Sequence, residues 1–392
     1  MRGWRFIATR LDGKGGETLL DPDLPLETVT VTHVLSGPTV IEASIAPEIN
    51  RLVGSDGTPI FVPWQTAIYA EKDGVIRAGA ILVDITSEGE KLDLECTGFV
   101  GYLKDMPFTS VFRGYKLDPL NVARVIWSHV QGQTNGNLGL IVGQGTSPVR
   151  IGKRGQPALQ ARPVIRDPVT GQVAMAAQPE TPAQKDEPYE LAWYQTADLM
   201  KEFEQLSEQT PFDYIERHWW IDQDSCDIQH VLDMGYPRIS KKRDDLRFVV
   251  GENIYTAPTV TEIGDHYASD VLVLGAGEGS AMAHGIATDY SQGRLRRVYI
   301  HTQKGIGRNQ TAQNTARIEV AYRGGQVEFD EILVQDTDFA RYGDINVGDM
   351  IYVQAGTGWY GQMNQWVRVI ELSVSPDKGD QMRLLVMKGD TD

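Results

Sequence analysis

The reading of residues 91–142 decides the fold. They run KLDLECTGFVGYLKDMPF (91–108) and, after a short link, KLDPLNVARVIWSHVQGQTNGNLGLIV (116–142). In the first part Leu92, Leu94 and Cys96 alternate with Asp93, Glu95 and Thr97. That two-residue period is the mark of a half-buried strand. Gly98 and Gly101 bracket its end. Asp118-Pro119 then opens a helix, with Asp as N-cap and Pro at the first helical position. Leu120, Ala123, Ile126 and Trp127 recur at helical spacing, with Val130 on the same side. Asn135-Gly136-Asn137 breaks the chain before the short apolar run 138–142.

Outward from this block, alternation dominates. Residues 1–13, 28–35 and 39–45 read as strands. So do 67–71 and 75–84, which flank Lys72-Asp73-Gly74, a hairpin signal. Residues 1–100 therefore predict a small antiparallel barrel or sandwich. Residues 143–190 are punctuated by seven prolines and read as a loop or linker, with a small hairpin around 166–171. Residues 196–209 predict a helix that Thr196 can cap, striped by Leu199, Met200, Phe203 and Leu206. Strands at 212–221 and 227–234 follow, joined by an acidic turn. Lys241-Lys242-Arg243 reads as a short basic loop. Beyond it, 248–250, 270–274, 297–301, 326–334, 349–354, 366–374 and 381–387 read as strands, interrupted by a helix at 309–322. The predicted class is mainly β, a β-rich α+β protein.

Composition sets bounds. A chain of 392 residues exceeds one ordinary core, so two to four domains are expected. Hydrophobic content of 41% and charged content of 23% are those of globular protein, not of wholesale disorder. Forty glycines favour strands joined by tight turns. A formal net charge of −16 disfavours general binding to nucleic acid or anionic membranes. Cys96 and Cys226 are too few and too far apart for a disulfide framework or a zinc site, and both read as small buried hydrophobes. No run is long enough to span a bilayer, and the N-terminus lacks an apolar signal core.

Three constellations invite chemistry. Residues 271–280, VLVLGAGEGS, imitate a dinucleotide-binding turn, but another strand follows at 282–288 where a helix is required, so a glycine hairpin is expected. Asp222, Asp224 and Asp227 suggest an oxygen cage for calcium, but the spacing fails and a solvated turn is expected. His218-Trp219-Trp220 could form a platform for sugar, but strand alternation places only one tryptophan outward. No spacing places a nucleophile or an acid–base pair. No catalytic, cofactor-binding or metal-binding residue is therefore assigned, and no cofactor.

The 91–142 block resembles the minor tail proteins of actinobacterial siphophages that form the baseplate hub at the tail tip. The resemblance extends to 46–52 with 56–61, to 64–70, to 211–214 and 235–238, to 246–254, and to Val347-Gly348-Asp349 with 366–370. It implies two antiparallel β-barrels like those of tail-tube subunits, with small inserted domains. The first barrel would span 1–100, completed by 240–262, and carry an α+β insertion at 101–239 that holds the Pro-rich stretch 143–190. The second would span 263–305, completed by 340–392, with a helix–strand insertion at 306–339. It further implies a homotrimer in the virion, assembled in the host cytoplasm. Its partners would be the distal tail protein, the tape measure protein and other tail-tip proteins, with the host surface met indirectly. DNA would only pass through an electronegative channel, for which the 336–344 loop offers candidate residues. The resemblance implies no enzyme. The alternative is a tail-associated cell-wall hydrolase, or a carbohydrate-binding receptor module using Trp219 or Trp220.

Overall fold

The computed structural model describes residues 3–46, 53–54, 57–155, 165–166, 173–175, 186–210, 212–223, 227–262, 264–291, 293–303, 306–324, 328–337 and 340–389. The expectations placed on Cys226, on Asp224, and on most of 46–52 and 156–185 lie outside these residues. The chain divides into two compact units. The first comprises Met1–Arg243, Gln335–Met350 and Val369–Arg383, the second Asp244–Val334, Ile351–Arg368 and Leu384–Asp392.

The main sheet of the first unit holds, among the described residues, β1 (Trp4–Leu11), β2 (Glu17–Asp21), β3 (Glu27–Val34), β4 (Val40–Ile45), β5 (Thr66–Lys72), β6 (Val75–Glu88) and β7 (Lys91–Thr97). Their antiparallel order is β3-β4-β7-β6-β5-β1-β2, with the end of Gly361–Ser375 beside β3 through Glu371–Val374. The order does not return on itself, so no closed barrel forms among the described residues. The β5–β6 turn is the expected one. Asp73 and Gly74 both have positive φ, 51° and 81°, the backbone a two-residue hairpin of this hand requires. Cys96 is buried on β7, as its alternation predicts.

Two α-helices lie among the described residues of this unit. In α1 (Pro119–Gln131) the Asp118 side chain accepts from Leu120 N at 3.0 Å, with Pro119 opening the helix. Its other oxygen accepts from Ser147 N at 2.9 Å, so one carboxylate secures both a helix end and the loop beyond. α2 (Leu199–Gln209) is capped by Asp198, which accepts from Met200 N and Lys201 N. Thr196, two residues before that cap, instead accepts from Ala192 N, so the helix expected from 196 begins at Leu199. Leu120, Ile126 and Trp127 from α1 and Leu199 and Phe203 from α2 join Tyr69, Phe99 and Tyr214 in one buried core. Burying side chains of this size stabilises by about 1.5–3 kcal/mol each.

In the second unit one sheet runs Thr259–Thr261, Glu328–Gln335, Gln381–Lys388, Gly361–Ser375, Met350–Thr357, Lys242–Val249. Single bridges from Ile254 to Val250 and to Val334 lie near its two ends. A separate three-stranded sheet orders His284–Thr288, Asp270–Leu274 and Val298–Thr302. α3 (Asn309–Tyr322) covers one face of it through the stripe Ala312, Ala316 and Val320. The helix is otherwise polar, and the reason is visible. Gln313 accepts from Ile286 N at 3.2 Å and donates to Ile286 O at 2.6 Å, while Asn309 accepts from His284 N at 3.1 Å. Helix side chains thus complete the hydrogen bonding of an edge strand. Gly285 permits the close approach, since a Cβ there would lie 2.3 Å from the Ala312 carbonyl carbon. Among the described residues no helix is long and apolar enough to cross a membrane.

Candidate functional site

The densest polar chemistry lies in the first unit. The hairpin Asp213–Asp222/Asp227–Gly235 places His218 directly opposite His230. Their Nδ1 atoms are 2.9 Å apart, and His230 Nε2 lies 2.8 Å from Glu17 Oε1. Tyr69 Oη donates to the same oxygen at 2.6 Å, and Thr9 Oγ1 donates to Glu17 Oε2 at 2.8 Å. Burial, reinforced by Glu17, pushes the Tyr69 phenol well above its ordinary pKa, so it stays a donor.

The proton positions follow from this inventory. Glu17 accepts throughout, so His230 donates to it from Nε2. One Nδ1–H lies between the two imidazoles, and this contact uses only one nitrogen of His218, leaving its Nε2 outside it. That atom is buried without a partner. Burial lowers the His218 pKa well below the usual imidazole range, and His230 and His33 add to the effect. The ring is therefore neutral at physiological pH. Phe99 packs on both imidazoles, its centroid 5.0 Å from His218 and 4.6 Å from His230.

Glu216, on the same face of the strand, is buried as well. Its carboxyl accepts from Thr39 N at 3.3 Å and from Val100 N. Burial nevertheless pushes its pKa up to about 7, because two amides replace only part of the lost water. Beside it opens a cleft of about 330 Å³ lined by His33, Arg77, Glu216, His218, Trp219 and Tyr342. His33 Nε2 meets Tyr342 Oη at 2.8 Å. Burial, then the charge of Arg77, lowers the His33 pKa to about 4. Gly343, at φ 103°, leaves the room that the Arg77 guanidinium occupies.

A second polar knot holds the late segments of this unit against its first strand. Lys72 Nζ lies 2.6 Å from Asp336 and 2.8 Å from Asp380, and Trp4 Nε1 donates to Asp380 at 2.6 Å. Burial works against the Lys72 charge, yet its bonds to the two aspartates hold its pKa above the ordinary value. Asp336, one of the residues considered for a channel wall, thus shares the Lys72 ammonium with Asp380.

The sequence-level constellations resolve as follows. Asp270–Leu274 and His284–Thr288 pair antiparallel, so the glycines between them form a hairpin, as expected. The residues around Asp222 and Asp227 turn the hairpin at 213–235. Among the described residues no group of three or more His, Cys, Asp or Glu is arranged to hold a metal. Trp219 is 43% exposed, whereas Trp220 packs against the core and donates to Glu71 at 2.9 Å. The basic loop expected at 241–243 is corrected. Lys242–Val249 is a strand, and Arg243 is buried beside Asp349 at 3.3 Å. A buried charge needs a partner, and Asp349 lies 106 residues away, out of reach of local reading. The pair His218/His230 was also missed. Counting outward from the 222–227 turn would have aligned them but for an irregular register at 220–222.

Neither a protein-family model nor a curated sequence matches the chain. Solved structures do. The 43 kDa tail protein of prophage MuSo2 from Shewanella oneidensis is 12% identical, with a TM-score of 0.56 over 98% of both chains. The prophage tail protein gp18 from Listeria monocytogenes is 10% identical, with a TM-score of 0.53 over 98% of this chain and 95% of that one. A tail protein from Neisseria meningitidis is 13% identical, with a TM-score of 0.51 over 99% and 97%. Identity at this level speaks for shared architecture rather than shared chemistry. With mainly β units and end-to-end coverage of all three, this chain has the fold of phage tail proteins.

Proposed function

We propose that the chain is a structural virion protein of a long-tailed phage, and that three copies form the baseplate hub at the tail tip. In this role it adapts a sixfold tail tube to threefold tip proteins and lines part of the DNA channel, next to the distal tail and tape measure proteins. The observation that carries the reading is the likeness to a prophage tail protein over 98% of both chains. The polar groups of the first unit favour a scaffold over an enzyme. His218 is buried and neutral, and the Glu216 carboxyl is engaged by two backbone amides. The net charge of −16 suits a wall past which DNA must slide, because each lysine–phosphate contact would add attraction. The test is a reconstruction of the intact tail tip. Three copies around the axis with an acidic inner wall are expected. A sixfold or monomeric arrangement sinks the trimer, and a net basic lumen sinks the charge argument separately.

A further inference from the structure

Trp64 is in a conformation its own packing does not explain. Its φ is +59°, in the left-handed region, where a bulky residue is a genuine outlier costing roughly 1–2 kcal/mol. The backbone is held there by Trp64 N donating to Leu82 O at 2.7 Å. The ring is not buried in return, for Trp64 remains 49% exposed. Strain that presents a large aromatic to solvent points to a function for that aromatic.

The surroundings specify what the ring could meet. It stands at a cleft of about 250 Å³ with Tyr102, whose ring centroid is 6.2 Å away and tilted by 55°. The rim is polar. Asp12 accepts from Lys14 N and Gly16 N through Oδ1 alone, leaving Oδ2 open. The side-chain amides of Gln65 and Asn135, also on the rim, make no hydrogen bond among the described residues. The rim is rigid as well. Gly13, at φ 68°, lets the 12–16 loop press against Asn135, and paired backbone bonds join Gly13 and Gly15 to Asn137 at 3.0 Å each.

We infer that this cleft is a carbohydrate subsite, in which Trp64 takes the apolar face of a pyranose ring and Asp12, Gln65 and Asn135 take its hydroxyls. An aromatic face pairs with the C–H face of a sugar through hydrophobic contact. Carboxylate and amide side chains supply acceptors and donors for vicinal hydroxyls. The volume, below the roughly 300–1,000 Å³ usual for drug-sized ligands, suits one ring or the end of a glycan. The cation-poor rim disfavours phosphate, and its polarity disfavours lipid. This site is distinct from the exposed Trp219, and it stands whether or not the trimeric assembly is correct.

The test uses the full chain and the methyl pyranosides of glucose, galactose, mannose and N-acetylglucosamine, followed by saturation-transfer NMR and tryptophan fluorescence. At least one should bind saturably, with a dissociation constant in the millimolar range. W64G should lose about tenfold or more in affinity, the order expected for an aromatic contact. It should also keep or raise the Tm, because glycine accepts the left-handed backbone that tryptophan resists. W64N, which tolerates the same φ, guards against a folding artefact and should lose binding equally. Absence of saturable binding to all four sugars would overturn the inference. So would wild-type affinity in W64G or W64N.

Discussion

Replacing Glu216 by Gln should change how stability depends on pH, and the size of the change can be worked out. The folded carboxyl titrates at about 7, against an ordinary value of 4.5. Between those limits the unfolded chain has released this proton and the folded chain holds it. Stability from this group is therefore full below about pH 4.5 and is lost as pH rises through about 7. The difference of about 2.5 pH units, at 1.36 kcal/mol each, comes to about 3 kcal/mol. Glutamine cannot titrate, so E216Q lacks this slope. It carries instead a constant offset, because its amide presents one oxygen to the two donors Thr39 N and Val100 N. The assay is urea unfolding of both proteins at half-unit steps from pH 4.5 to 8.5. The quantity read is the stability of E216Q minus that of wild type. It should shift in favour of E216Q by about 3 kcal/mol across the range, whatever the offset. Other groups titrate alike in both proteins and cancel. A difference that stays flat within error would refute the argument that burial outweighs the two amides at Glu216.

His33 should act in the opposite sense. Its pKa falls from 6.5 to about 4 on folding, so its contribution is lost as pH drops through that window, by about 3 kcal/mol, and H33Q should remove the loss in the same assay. D118A should destabilise by about 1–3 kcal/mol, since it removes the helix cap and the Ser147 contact together, whereas D118N should recover part of the loss. G285A should cost about 1–3 kcal/mol and loosen α3, because the added methyl meets backbone rather than a movable side chain; hydrogen exchange in 309–322 reads this directly. Q313A should expose the two backbone groups of Ile286, costing about 1–3 kcal/mol by thermal unfolding.

Legibility followed the range of the interaction. Asp118-Pro119, the Asp73-Gly74 turn and the placing of only one of Trp219 and Trp220 outward are decided within a few residues, and each is found as read; which of the two tryptophans is outward the structure alone shows. The helix at 309–322 matches to the residue. What could not be read joins distant segments. Lys72 meets Asp336 and Asp380 across 264 and 308 residues. Glu17 becomes the end of the histidine chain only once β1, β2 and β5 are paired. Arg243 misled because charge in a basic triplet looks like solvent exposure, whereas its partner arrives from a returning segment. Trp64 gave no signal at all, since a left-handed tryptophan has no sequence pattern.

The polar helix over the three-stranded sheet has a consequence for growth. A sheet margin with free amides and carbonyls is a template on which another chain can add a strand. At His284–Thr288 that template is already taken at positions 284 and 286 by Asn309 and Gln313. Among the described residues no side chain of α3 hydrogen-bonds the opposite margin, Val298–Thr302. A strand arriving from outside would therefore find fewer free backbone groups along 284–288 than along a margin without such side chains. The same sheet with both margins free could propagate without limit.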